Sequence, residues 1–156
     1  MSLATTSAGF LHSVVSGQPW HGQSVAKLID GLSAAQAATR PEGVTRSIWE
    51  LLLHMAAWQS YALRGMRGEP VEDMLPPDQD WPALPAATDE NWRAAVEVYL
   101  SDAADLESMI REAEDQALSA SVSGGEYPAK VLALGIAAHH VYHAGQIALV
   151  RRMIGA

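Results

Sequence analysis

The sequence predicts an all-α protein, a four-helix bundle, on three observations. Alanine is abundant, runs of β-branched residues are scarce, and no alternating apolar and polar pattern lasts more than a few residues. The strand period is therefore missing while the helical one recurs in four segments. Four helices of this length bury their apolar faces best against one another as a bundle, where an internal site is built from side chains of facing helices. At 156 residues the chain reads as one domain, 1–156, long enough to bury a core without disulfides or structural metal.

The first segment runs from Leu3 to about Leu32 and is broken by SGQPW, Ser16 to Trp20. Pro19 cannot continue a helix from Gln18 but suits the first turn of a new one, so two short helices at an angle are expected. The second opens at SIWE, where Ser47 and Glu50 have the spacing of a capping box, and runs to about Met66 before RGEP ends it. The third starts near Thr88 or Asp89 and carries Trp92, Val96, Tyr99, Ala103, Leu106 and Ile110 as one apolar stripe. The fourth opens at YPAK, with Pro128 in a first-turn position, and extends to about Ile154, where Arg151, Arg152 and Gly155 suit a C-terminus. Two long loops, PPDQDWPALP (Pro76 to Pro85) and SVSGGE (Ser121 to Glu126), join second to third and third to fourth. Antiparallel neighbours are expected, and the first of these loops is long enough for a crossover.

Composition narrows the function classes. Ten Lys and Arg against eighteen Asp and Glu give a formal charge of −8, which opposes general affinity for nucleic-acid backbones or anionic lipid. No cysteine is present, so disulfides, thiolate metal sites and cysteine nucleophiles are all excluded, and a metal must be held by His, Asp or Glu. No apolar run approaches the roughly 18 residues of a membrane span, and the first basic residue is Lys27, unlike a secretory signal. A cytoplasmic protein is the expectation.

Three of the six histidines lie within five positions, in HHVYHAGQ, His139 to Gln146. The seam of the fourth helix reads Leu132, Ile136, His139, His143, Gln146, Val150 and Met153, so polar residues stand where core is due. His139 and His143 are four apart, which puts their Cβ atoms on one face at roughly 5–6 Å, close enough for both rings to meet one ion. His140 is turned about 100° away and is expected at the surface or boundary. A lone His-x-x-x-His decides little. In the second helix, however, LLLHMAAW sets His54 among Leu51, Leu52, Leu53, Met55 and Trp58, and a third inward histidine favours a shared metal over a satisfied core ring. Three neutral imidazoles with open positions offer a Lewis-acid site or activated water. Zinc or nickel comes first, with iron, cobalt or manganese also permitted by these ligands.

Gln146, one turn beyond His143, is the candidate catalytic side chain, placed to bond a metal-bound water or orient substrate. His12 is read as boundary packing, His21 as a residue of a helix start, and the five tryptophans as core or loop-pinning groups. Arg64 and Arg67 are read as solvated helix-end charges.

SIWELLLHMAAW in the second helix and AAHHVYHAGQIALVRRM in the fourth resemble the DinB-like (DinB/YfiT-like) superfamily of metalloenzymes, and PWHGQS with the tryptophan of DENWRAAV matches one branch. The likeness covers nearly the whole chain. It implies a four-helix bundle holding a divalent metal on His54, His139 and His143. Characterised relatives include S-transferases dependent on a low-molecular-weight thiol and a thiol-dependent maleylpyruvate isomerase. The resemblance thus implies a small-molecule substrate, a thiol cosubstrate and a homodimer. The function expected is a metal-dependent thiol S-transferase, or a related hydrolase; the alternative is a non-catalytic metal-binding helical module.

Overall fold

Helices form where the sequence has caps and apolar stripes. The computed structural model describes residues 2–71, 74–122 and 127–156. Four long helices, α1 (Leu3–Val15), α4 (Ile48–Met66), α6 (Asp89–Glu112) and α8 (Ala129–Met153), are joined through four short ones, α2 (Val25–Ile29), α3 (Ala34–Ala38), α5 (Pro77–Asp80) and α7 (Asp115–Ser119). The expected loop at 121–126 lies mostly outside the described residues, which omit 123–126. Among the described residues no helix is long and apolar enough to cross a membrane.

The α4 start is as expected. Ser47 accepts from the Glu50 backbone N–H, and the Glu50 carboxylate accepts in return from the Ser47 N–H at 2.9 Å. Thr88 caps α6 through Asn91 N–H. Pro128 stands one position before α8, as its N-cap.

The segment after α1 departs from expectation. No helix starts at Pro19; the chain turns instead until Ser24, and α2 begins at Val25. Gly22 sits at φ +148°, a backbone region that favours glycine, so a helix cannot run through it. A further capping box, Ser33 with Gln36, opens α3.

The long helices form a ring in which α1 packs on α6 and α8, and α4 on α6 and α8. Direction follows from the contacts. Near the starts of α4 and α6, Trp49 and Trp92 meet edge to face with centroids 5.3 Å apart, and near the ends Met66 and Met109 line one hollow, so these helices run parallel. By contrast α8 is antiparallel to α4: His54 meets His139 and His143, while Gly65 abuts Leu132 earlier in α8. Parallel packing of α4 and α6 forces the chain between them to climb back along α4, which spans about 28 Å at 1.5 Å per residue. That crossover carries α5 and brings residues 80–81 back to the level of His54.

The core of Leu11, Ile48, Trp49, Leu52, Met55, Tyr99, Leu106, Ile110 and Ile147 is fully enclosed. Each such aliphatic or aromatic side chain contributes about 1.5–3 kcal/mol of transfer free energy. The α6 stripe is buried as expected except Val96, which is partly covered.

The α8 seam is rotated from the expected one. Its buried line passes through Leu132, Ile136, His140, His143, Ile147 and Val150; His139 and Gln146 lie on its edge and Met153 is exposed. His140, expected at the surface, is therefore fully buried, with its ring 5.6 Å from that of Tyr99. In a four-membered ring of helices the interior covers the face between two neighbours, and α8 turns His140 into it.

Candidate metal centre

Two periodicities place the histidines. The i,i+4 spacing in α8 aligns His139 with His143, and the antiparallel approach of α4 sets His54 opposite them. The three Nε2 atoms converge. His139 Nε2 lies 2.9 Å from His54 Nε2 and 3.0 Å from His143 Nε2, and the three residues form a group compatible with a metal ion. His54 and His143 are buried and His139 is half-buried.

The partners of the outer nitrogens assign the tautomers. His54 Nδ1–H donates to the Asp80 carbonyl at 2.7 Å, and His143 Nδ1–H donates to Gln146 Oε1 at 2.6 Å. Both oxygens only accept, so each Nδ1 carries a proton, the tautomer that leaves Nε2 as the ligating atom. Burial, then the neighbouring His143 and His54 rings, pushes His139 down to about 3. Burial likewise lowers His143, against the opposing effect of its bond to Gln146. His139 is thus neutral at physiological pH. Three imidazoles, two anchored from behind, fit the nitrogen donor set of a divalent ion. No fourth His, Asp or Glu joins this group among the described residues.

Gln146 meets the cluster differently from expectation: its Oε1 is engaged by His143 Nδ1, which makes it a positioning residue for that ring. Its side chain also borders a hollow of about 430 Å³ lined by Thr45, Arg46, Trp81, Tyr142 and His143. A larger hollow of about 960 Å³ at the turn between α1 and α2 is lined by none of the histidines.

The crossover supplies what the histidine pattern lacks. Trp81 stacks on His54, ring planes 5° apart and centroids 4.0 Å apart. Asp80 takes the Trp58 indole N–H on Oδ1 at 2.7 Å, and the same oxygen lies 3.2 Å from His54 Nδ1. Its carboxylate is therefore on the outer side of His54, away from Nε2. Asp80, Trp81 and Arg46, the last with its guanidinium 4.3 Å above the Trp81 ring, were not foreseen as site residues. The one sequence signal was a tryptophan between prolines in a loop long enough to cross over.

The remaining candidates stand elsewhere. His12 is exposed and pairs with Glu107 at 2.9 Å, and His21 is exposed. Arg64 pairs with Glu69 at 3.6 Å near the far end of α4, and Arg67 caps that helix. Trp20 is neither core nor a loop pin, being fully exposed.

No curated protein and no solved structure matches this chain. The family model described as the DinB superfamily matches residues 20–147, from the turn after α1 through the histidines of α8 to Ile147. With that match over most of its length, on a helical bundle carrying the His54, His139 and His143 group, the chain belongs to the DinB superfamily.

Proposed function

We propose that this chain is a metal-dependent enzyme acting on small molecules, with His54, His139 and His143 holding one divalent ion, zinc or nickel before iron, cobalt or manganese. The observation that carries this reading is the convergence of the three Nε2 atoms, that of His139 lying 2.9 and 3.0 Å from the other two, with His143 also lining a hollow. A divalent ion held by these three residues would supply Lewis acidity toward a thiol or a water. With no cysteine in the chain, a thiol nucleophile has to come from a cosubstrate, so transfer of a low-molecular-weight thiol to an electrophile is the favoured reaction and hydrolysis its variant. Asp80 and Gln146 hold two imidazoles in the ligating tautomer, and Trp81 and Trp58 cover the site on the α4 side.

Metal analysis of untagged protein is expected to find about one ion per chain, with His54→Ala, His139→Ala and His143→Ala each weakening uptake by at least about tenfold. Absence of stoichiometric metal, together with unchanged content in His139→Ala, would overturn the reading. Bound metal without conjugation in a screen of thiols against electrophiles would leave a metal-binding module instead.

Two copies of the chain pair, in this reading, along the outer face of α8. Val131, Leu134, Tyr142, Leu149 and Met153 are exposed there, and α8 contains no Asp or Glu although the chain carries eighteen. The face is self-complementary about Tyr142: an antiparallel copy sets Leu149 against exposed Gly135 and Met153 against Val131.

A further inference from the structure

The hollow beside His143 has a single charged wall. Among its lining residues Arg46 is the one Lys, Arg, Asp or Glu; the others include Thr45, Trp81, Tyr142, Gln146 and Leu149. Arg46 does not have a carboxylate to itself. Glu50 is gripped by Arg40 in a fork, Nε to Oε2 and Nη2 to Oε1, both at 2.6 Å, while Arg46 reaches the same carboxylate only through Nη1 at 3.2 Å. Two guanidinium groups thus share this one carboxylate, while the Asp80 carboxylate on the outer side of His54 is engaged by the Trp58 indole. The remaining N–H groups of Arg46 have no hydrogen-bond partner among the described residues, and its side chain is 40% exposed.

The cation is also held in place. Its guanidinium lies 4.3 Å over the Trp81 ring, and the opposite face of that ring is filled by His54 at 4.0 Å. Arg46, Trp81 and His54 thus form a stack that ties the position of the charge to the histidine group. A planar fork with free donors, fixed by an aromatic face at the edge of a mostly uncharged hollow, is suited to bidentate capture of a carboxylate.

We propose that this hollow is an anion subsite, in which Arg46 receives a carboxylate of the thiol or its acceptor while the reacting end of that molecule reaches the histidines. The assignment names the substrate class for the metalloenzyme reading and rests on it for the second half of that statement only. Arg46 acts here as a specificity-determining residue, and Trp81 as the residue that positions it.

The test uses the full chain, labelled with ¹⁵N, in metal-free and zinc-loaded forms. Each is titrated with 3-mercaptopropionate and 6-mercaptohexanoate and with the corresponding amides, which are of nearly the same size and uncharged at that end, following the Trp81 indole N–H resonance. The acid of at least one pair is expected to bind about tenfold more tightly than its amide, a preference lost in Arg46→Gln and partly kept in Arg46→Lys. A general loosening of the fold would weaken acid and amide alike and leave their ratio unchanged. Equal binding of acids and amides to the unsubstituted chain, or a preference that survives Arg46→Gln, overturns the proposal. Failure to take up zinc with the preference intact in metal-free protein removes the metalloenzyme reading and leaves the subsite. Zinc uptake without any preference does the reverse.

Discussion

Glu50 is buried and still ionised. Burial by itself would raise its pKa, but hydrogen bonds from Arg40, from the Ser47 N–H and hydroxyl and from Arg46 outweigh it and hold the carboxyl at about 2. The folded value lies below the ordinary 4.5, so the stabilisation is fully present above about pH 4.5 and is lost as pH falls toward 2. Glu50→Gln is expected to lower stability at neutral pH by about 1–3 kcal/mol, discounted because Arg40 is half exposed, and to flatten the loss of stability below pH 4.5. Urea unfolding midpoints measured from pH 7 to pH 2.5 check this. A variant as acid-sensitive as the parent would show that the Arg40 fork adds nothing. At this scale the capping role of Glu50 was readable, because Ser47 lies three residues away. Its two arginine partners were not marked, since neither spacing nor composition singles them out.

Among the elements, the crossover between α4 and α6 does most to complete the site. Prolines at 70, 76, 82 and 85 flank α5, Pro77 opens it, and Trp81 anchors the segment on His54. Trp81→Ala is expected to raise amide hydrogen exchange across residues 78–88 while α6 and α8 keep their protection. It should also weaken zinc binding by about tenfold, since His54 loses its stacking neighbour and the Asp80 carbonyl loses its anchor. Unchanged exchange in the crossover would mean that the Asp80 to Trp58 bond suffices to hold it. The helices α4, α6 and α8 were legible from their start signals and three-four stripes, and α1 only as part of a longer broken segment. The rotation of α8 was not: its residues 132, 133, 136, 137, 139, 140, 143 and 144 offer two overlapping seams, and only the positions of α1 and α4 choose between them.

For the molecule as a whole, the proposed pairing rests on the outer face of α8. Light scattering coupled to size-exclusion chromatography is expected to give the mass of two chains. Leu149→Glu and Val131→Glu are each expected to give one, with helical circular dichroism unchanged. A monomeric parent at micromolar concentration would sink the pairing. Leu149 also borders the hollow by His143, so pairing on this face would close one side of the proposed subsite.

By itself the sequence determined the helical class, both ends of α4 and α8 and the start of α6 to within a residue or so, and the three histidines that form one group. These follow from local rules: capping, hydrophobic period, and the i,i+4 alignment of two rings. Tertiary structure alone decided that His140 is interior, that Gln146 engages His143, and that Asp80, Trp81 and Arg46 belong to the site. The reason is the parallel packing of α4 on α6. It sends the connecting chain back past His54, and no local pattern encodes which helix a loop must cross.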